Sequence, residues 1–381
     1  MPWKQVEPMD EKRRFILTME SGLYNMTEVC DRFGISRKTG YKWYNRYRSE
    51  GFDGLVERSR APHSCPHRTP PEIAKLIIDK RDQKKNWGPR KILDHFALER
   101  PDLAMPAEST TGDILRRAGR VKSRKKRHKS AHPTAPPLKV DAPNQVWTMD
   151  FKGEFRLLNG VYCYTFTVED AHSRFLICCD GLESTAGAGV RPVLDRAFTE
   201  YGLPQAVRTD NGSPFVSTGR LGLTRLGVWL IKLAIPHQRI APASPWQNGR
   251  HERMHRTLKQ EATIPPGADL KAQQERFDRF RLDYNTDRPH QSLGGDTPAS
   301  HYRRSSRSKP SRIGPPDYPL HFEVRKVSTN GTFKFKSRTP FIGLGLAEEH
   351  IGLEEIDAGV WSVHFYLTEL GRFNETDLII T

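Results

Sequence analysis

The sequence has few cysteines and no long apolar segment. No apolar run approaches the roughly 18 residues that a membrane-spanning helix requires, which argues against an integral membrane protein. The first residues contain no apolar signal-peptide core, so we expect no secretion. The GxxxxGK loop that cradles nucleotide phosphates is also missing, so we expect no ATP hydrolysis. The cysteines lack paired CxxC spacing, which argues against a disulfide framework or a four-thiolate zinc site and fits a reducing compartment. They are Cys30, Cys65, Cys163, Cys178 and Cys179.

Basic residues are concentrated in the first third of the chain. The chain has 381 residues and a net charge of +16, with 36% apolar residues. This length predicts two or three compact units of about 100–200 residues each. Residues 1–140 hold 31 Lys and Arg against 17 Asp and Glu, whereas residues 141–381 hold 30 against 28. This asymmetry favours a polyanion such as nucleic acid as partner, with a merely soluble basic surface as the alternative.

The first third also shows two helix-turn-helix patterns. Helices are predicted at Asp10–Glu20, from Thr27 to Phe33, and after a cap at Ser36. The third helix carries cations among aromatic residues, so the aromatics can pack inward while the cations face a major groove. An ordinary three-helix bundle with a solvated basic face is the alternative. A second, less regular pattern begins near Pro71. The DNA-binding candidates on the third helix are Arg37, Lys38, Lys42 and Arg46.

The middle of the chain combines strand-like segments with acidic residues in unusual places. A three-strand meander beginning at Gln145–Phe151, followed by alternating helices and strands, is typical of a mixed sheet with helices on its faces. Asp150 interrupts an apolar strand, where an uncompensated carboxylate would cost several kcal/mol or more. Asp210 lies where a strand gives way to the turn-forming Asn211 and Gly212. Functional residues in open sheets usually occupy such positions.

Glu252 lies in the first turns of a following helix. At about 100° per residue it shares one face with His255, Arg256 and Lys259, while apolar residues on the opposite face can dock on the sheet. Carboxylate oxygens suit hard cations such as Mg²⁺ or Mn²⁺. Two such ions about 3.5–4 Å apart can activate a nucleophile and stabilise the leaving oxygen of a phosphodiester. The three acids together therefore predict a two-metal site beside phosphate-contacting groups.

Several segments resemble the motifs of a known family. VWTMDFKG, RTDNGSPF and SPWQNGRHERMHRTLKQE are similar to the three acid motifs of DDE transposases and retroviral-type integrases. DYNTDRPHQSLGGDTPASHY resembles the segment that closes the core in bacterial insertion-sequence transposases. The resemblance covers about residues 140–302. It implies a ribonuclease H-like core, two Mg²⁺ or Mn²⁺ ions per active site, and cutting and joining of DNA ends. It assigns catalysis and metal ligation to Asp150, Asp210 and Glu252, and DNA contacts to His255 and Lys259, beside Arg256.

Some residues have a second interpretation. The 41 residues between Asp210 and Glu252 are more than many relatives have, which makes Glu261 a rival for the third acid. Glu261 lies beyond the motif and about 180° around the helix, so we prefer Glu252. Asp170 is expected in a hairpin turn at the surface. The cluster His63, Cys65 and His67 matches no zinc spacing and is interpreted as linker.

The leading hypothesis for function is a transposase. Its helix-turn-helix units would bind the terminal inverted repeats of an element, and its core would cleave the element ends and join them to target DNA. Both ends must be held together, so we expect a homodimer or higher oligomer on double-stranded DNA. We expect no membrane partner, no ATP, and a bacterial, nucleoid-associated cytoplasmic location. Two alternatives remain open: a sequence-specific DNA-binding regulator with an inactive integrase-like core, and a structure-selective ribonuclease.

The chain ends in a strand-rich segment. Five or six short strands with close turns after Leu320 predict a small β-barrel, which could contact DNA or another subunit, or act as a stabilising appendage. The predicted fold class is thus multidomain α + α/β + β. The predicted parts are a helix-turn-helix domain (1–60), a second such domain (68–120), a basic Pro-rich linker (121–143), a ribonuclease H-like integrase-type core (144–302), a linker (303–319) and the small β-barrel (320–381).

Overall fold

The chain separates into two units, residues 1–68 and residues 69–381. The computed structural model describes residues 8–58, 68–121, 140–217, 219, 221–240 and 249–380. Three features discussed above therefore lie outside the described residues. They are the cluster His63, Cys65 and His67, residues 122–139 of the predicted linker, and the SPWQN part of the third acid motif.

The first unit contains the three predicted helices around a small apolar core. Helix α2 begins earlier than predicted, because the Asn25 side chain caps it by accepting a hydrogen bond from the Glu28 backbone N–H. The Glu28 carboxylate in turn accepts a hydrogen bond from the Asn25 backbone N–H. Gly40 lies in the middle of α3, where an added Cβ would clash with Cys30 of α2. This glycine therefore permits the close crossing of the two helices. The elements are α1 (Pro8–Glu20), α2 (Met26–Arg32) and α3 (Arg37–Glu50), followed by a short 3-10 helix (Gly51–Leu55).

The second unit begins with three more helices, as the second pattern predicted. Proline occupies the first turn of two of them, where its fixed φ and missing N–H are tolerated. Their shared core is apolar and includes the buried Ile77, Trp87 and Leu115. The helices are α4 (Pro71–Gln83), α5 (Pro89–Glu99) and α6 (Glu108–Arg117).

The predicted mixed sheet is present in the second unit. Its strand order is β3-β2-β1-β4-β5, with an antiparallel meander of the first three strands and with β4 and β5 continuing parallel to β1. One face is covered by α7 and α8, and the other by α9 and α10. The elements are β1 (Val146–Arg156), β2 (Tyr162–Asp170), β3 (Leu176–Leu182), α7 (Gly187–Tyr201), β4 (Ala206–Thr209), α8 (Arg225–Lys232), β5 (His237–Arg239), α9 (Gly249–Ala262), α10 (Leu270–Thr286) and α11 (Pro298–His301).

Asp170 is buried, so its expected surface position was wrong. Its side chain is 0% exposed at the end of β2. One carboxylate oxygen accepts hydrogen bonds from the Ser173 backbone N–H at 2.7 Å and hydroxyl at 2.6 Å, and the other accepts from the Asn144 N–H at 2.7 Å. The carboxylate therefore joins the β2–β3 turn to the start of β1.

Helices α4 to α6 pack on the core through polar contacts. Lys84, just after α4, lies 2.9 Å from Asp283 and 2.7 Å from Asp287 at the end of α10. Lys91 of α5 donates to the backbone carbonyl of Pro289. These contacts hold the second helical region on the core within one unit.

The C-terminal segment forms an open sheet, so the predicted barrel is not confirmed. Its strand order is β6-β7-β8-β9, all antiparallel, and β6 and β9 do not pair with each other. The chain between β6 and β7 forms isolated bridges and folds over the sheet, where it buries Phe333 and Phe335. This apolar cover replaces closure of the strands. The strands are β6 (Glu323–Lys326), β7 (His350–Asp357), β8 (Val360–Phe365) and β9 (Thr368–Asn374).

Helix α8 joins the C-terminal sheet to the core. Trp229 contributes to the core under the mixed sheet, whereas Val228 belongs to the core of the C-terminal sheet. Lys232 also forms a 2.5 Å ion pair with Glu349. Within the described ranges, no helix is long and apolar enough to cross a membrane.

Candidate active site

Strand β1 presents its polar residues to helix α9. Successive side chains of a strand point to opposite faces of the sheet. Trp147 and Met149 enter the core on the α7 side, so Thr148 and Asp150 face α9. The Asp150 side chain is 17% exposed and Asp150 pairs with Thr167 of β2. This strand alternation explains how a carboxylate can interrupt an apolar strand without entering the apolar core.

Strand β4, which precedes the second acid, runs parallel to the strand that carries the first. Val146 pairs with Ala206 and Thr148 with Arg208 in the β1–β4 pair. Asp150 and Asp210 each follow the last of these paired residues by two positions. Asp210 lies just beyond the end of β4, is exposed, and accepts a 3.1 Å hydrogen bond from the Gly212 N–H.

Helix α9 carries the third predicted acid on its outer side. Met254 and Leu258 are buried against the sheet, as predicted. Glu252 is exposed, together with Arg256 and Lys259. His255 differs from the prediction, because it is buried at 6% exposure instead of sharing their exposed face. Its ring faces the Asp150 carboxylate instead.

The rival acid has a different partner. Glu261 forms a 2.8 Å ion pair with Arg288, which follows α10. The Glu261 carboxylate is therefore held by Arg288, near the C-terminal end of α9. Glu252 is the acidic residue of the first turn of α9 and remains the preferred candidate.

Two buried histidines and two threonines connect α9 to the sheet. His251 is 1% exposed, and its ring nitrogens lie 2.9 Å from the Thr148 hydroxyl and 2.7 Å from the Thr167 hydroxyl. His255 Nε2 lies 2.7 Å from the same Thr167 hydroxyl. His255 Nδ1 faces the Asp150 carboxylate at 3.9 Å. This network fixes the rotation of α9 on the sheet, and thereby the direction of Glu252.

Burial keeps both imidazoles neutral. It lowers the pKa of His251 to about 3 and that of His255 to about 2, with His251 and Lys152 adding to the second shift. The two imidazoles therefore add no positive charge beside Asp150.

The sequence interpretation missed His251. The ligand atoms of Asp150, His251 and His255 all lie within 4.8 Å of one another, close enough to hold a metal ion. The clue was the HERMH segment, because histidines four residues apart lie on one face of a helix.

The predicted DNA-binding residues of α3 differ in how they lie relative to its apolar face. Ser36 caps the helix, as predicted, and Trp43 is buried in the core of the first unit. Lys42 lies 4.3 Å from the centre of the Trp43 ring, and the half-buried Arg46 lies 5.1 Å from it. Arg37 and Lys38 are exposed, so they and Lys42 can reach a ligand.

Family comparisons match both parts of the chain. An integrase core domain matches residues 140–245 and residues 233–298. A helix-turn-helix domain matches residues 11–63, and a homeodomain-like domain matches residues 39–115. Proteins of bacterial insertion elements also align with the chain. Residues 140–298 of the chain are thus similar to the integrase core domain family. The resemblance seen in its acid motifs is thereby confirmed.

Two insertion-element proteins illustrate the relationship. The uncharacterized 39.2 kDa protein of insertion element IS476 from Xanthomonas euvesicatoria is 30% identical over 231 residues, which are 60% of this chain and 63% of that protein. The alignment thus spans less than two thirds of that relative. The uncharacterized 31.7 kDa protein of IS407 from Burkholderia multivorans is 26% identical over 58% of this chain and 77% of its own.

Solved integrase structures also match the chain. The structure of the HTLV-2 integrase catalytic core domain in complex with magnesium, in its trimeric form, is 15% identical with a TM-score of 0.35. It covers 43% of this chain and 100% of its own.

Proposed function

We propose that this protein is a transposase. In this proposal it binds the terminal inverted repeats of an insertion element, cleaves the DNA at the element ends and transfers the strands to target DNA. The observation that carries the proposal is the packing of α9, whose first turn holds Glu252, against the strand that holds Asp150, with His255 of α9 facing the Asp150 carboxylate at 3.9 Å. The matches to the integrase core domain and to helix-turn-helix domains support it.

The acids are the proposed metal ligands. Asp150, Asp210 and Glu252 offer carboxylate oxygens, which suit Mg²⁺ or Mn²⁺, and two ions per site are proposed. The residues present fit such ions, because all three offer carboxylate oxygens and the Asp150 side chain is still 17% exposed. When bound, the ions would supply activation of water or a 3′-hydroxyl and stabilisation of the leaving oxygen. No serine or tyrosine nucleophile is required.

Basic side chains next to Glu252 are the proposed DNA contacts of the core. Arg256 and Lys259 follow Glu252 by four and seven residues, so all three project from one exposed side of α9. Phosphates held there would lie along the acid site. Arg37, Lys38 and Lys42 on α3 are the proposed contacts to the terminal repeats. Two element ends require two such proteins, so we propose a dimer or higher oligomer on DNA.

The test is end cleavage by variants of the acids. Labelled duplexes carrying the ends of the encoding element are incubated with the full chain in Mg²⁺ or Mn²⁺. Asp150→Asn should abolish cleavage and keep DNA binding, because it removes a metal ligand but no basic group. Glu154→Gln, an exposed acid on the same strand, is the matched control and should cut normally.

A second pair of variants separates the two candidates for the third acid. Glu252→Gln should abolish cleavage, whereas Glu261→Gln should reduce stability through its ion pair with Arg288 and still cut. Full cleavage by Asp150→Asn would refute the proposal. Specific binding without any cleavage by the unmodified chain would favour a DNA-binding regulator instead.

A further inference from the structure

The hydroxyl of Thr167 determines which nitrogen of His255 carries the proton. Its oxygen lies 3.0 Å from the backbone carbonyl oxygen of Asp150 and 2.7 Å from Nε2 of both His251 and His255. A hydroxyl has one proton to donate and two lone pairs that accept. On its other side, His251 meets the Thr148 hydroxyl, which also lies 3.1 Å from the Glu169 carbonyl oxygen. If Thr148 donates to that carbonyl, His251 donates from Nδ1 and takes the Thr167 proton at Nε2; otherwise the Thr167 proton goes to the Asp150 carbonyl. In both arrangements His255 must donate from Nε2–H, which leaves a lone pair on its Nδ1.

The lone pair of His255 Nδ1 points toward the acid site. It lies 3.9 Å from Asp150 Oδ2, which is too long for a hydrogen bond. Two ligands bound at about 2.1 Å from one metal ion are about 3.0–4.2 Å apart, depending on the angle between them. The observed distance falls within this range. His251 Nδ1 instead meets the Thr148 hydroxyl at 2.9 Å, so His251 supports the network.

We propose that His255 Nδ1 and the Asp150 carboxylate are ligands of one divalent transition metal ion, with Thr167 and His251 orienting the imidazole. The inference rests on the proposed function, in which Asp150 is a metal ligand, and it adds a nitrogen donor to that site. Metal-binding histidines commonly donate their other ring N–H to a fixed acceptor, as His255 does to Thr167.

The proposal changes the expected metal preference of the site. Mg²⁺ favours oxygen ligands, whereas imidazole suits later transition metals such as Co²⁺ and Zn²⁺. A Mg²⁺ ion held by Asp150 and His255 should therefore be displaced readily by Co²⁺. Cobalt also reports its own ligands, because its visible absorption changes when a nitrogen donor is lost.

The experiment measures binding of Co²⁺ and Mg²⁺ to the metal-free full chain by calorimetry, with Co²⁺ absorption recorded in parallel. His255→Gln should weaken Co²⁺ binding by about 10–100-fold and shift its absorption, while Mg²⁺ binding changes by less than about threefold. Thr167→Val keeps the imidazole but removes its acceptor, and should weaken Co²⁺ binding by about tenfold. His95→Gln, a buried histidine on α5, is the control and should leave both metals unaffected.

The outcomes separate this inference from the proposed function. If His255→Gln binds Co²⁺ as tightly as the unmodified chain and with the same absorption, the inference is overturned. Thr167→Val with unchanged Co²⁺ affinity overturns it too, which decides the matter if His255→Gln does not fold. Asp150→Asn should weaken the binding of both Co²⁺ and Mg²⁺. If it weakens the binding of neither, the proposed metal site itself is wrong, whichever result the histidine variants give.

Discussion

The buried carboxylate of Asp170 allows a quantitative test of how the sheet is assembled. It accepts three hydrogen bonds, two from Ser173 and one from the backbone of Asn144. The Asn144 side chain in turn accepts from the Trp147 indole N–H at 3.0 Å and from the Tyr302 hydroxyl at 2.9 Å. Asp170 therefore connects the strands that carry the acid site to the segment that closes the core.

Replacing Asp170 with alanine should strongly destabilise the second unit. Two backbone N–H groups would lose their acceptor in a site where Asp170 is 0% exposed. A buried donor left without a partner costs about 1–3 kcal/mol, so the two together cost about 2–6 kcal/mol. The Ser173 hydroxyl can rotate to another acceptor and is left out of this figure. Asp170→Asn keeps one oxygen and loses one hydrogen bond, so it should cost about 1–3 kcal/mol.

The assay is urea unfolding of the full chain followed by circular dichroism. The midpoint of the unfolding transition of the second unit should fall to a lower urea concentration in Asp170→Asn and to a still lower one in Asp170→Ala. Asp278→Ala, an exposed acid on α10, is the control and should change the free energy of unfolding by less than about 1 kcal/mol. An Asp170→Ala protein within about 0.5 kcal/mol of the unmodified chain would refute the reasoning.

Three further predictions concern packing, pH and DNA binding. Gly40→Ala should cost about 1–3 kcal/mol and lower the melting temperature of the first unit, because its Cβ has no room against α2. Burial lowers the pKa of Lys91 to about 8, so between pH 8 and about 10.5 the unfolded chain holds a proton that the folded chain has lost. The free energy of unfolding should therefore rise with pH through this window, and Lys91→Met should remove up to about 3 kcal/mol of that rise. Urea unfolding at several pH values measures this difference. Lys259→Gln should lower the slope of the logarithm of DNA affinity against the logarithm of salt concentration by about 0.9, measured by fluorescence anisotropy.

Each of these predictions has a matched control. Gly314→Ala has open space around its Cβ and should be neutral. Lys85→Met removes an exposed lysine and should leave the pH dependence intact. Lys271→Gln removes an exposed lysine on α10 and should leave the salt slope unchanged. A control that behaves like its partner variant would contradict the structural reason given for that prediction.

The elements that depend on local pattern were predictable from the sequence. The helices of the first unit follow from apolar spacing and from caps such as Ser36, which bind backbone groups a few residues away. The meander and the mixed sheet follow from strand patterns and turns in the same way. The acid motifs also indicated the family, because they are contiguous stretches whose residues and spacing are specific.

Features that depend on distant residues required the tertiary structure. The hydrogen bonding of Asp170 depends on Asn144, which is 26 residues away, and that of His251 depends on Thr167, which is 84 residues away. The open C-terminal sheet depends on a loop whose aromatic residues cover it, which strand patterns do not encode. Sequence patterns thus determined the elements and the chemical groups, because local periodicity decides which backbone forms and which face is apolar. The tertiary structure decided which polar groups meet and are desolvated, because hydrogen bonding and burial depend on neighbours that only the folded chain brings together.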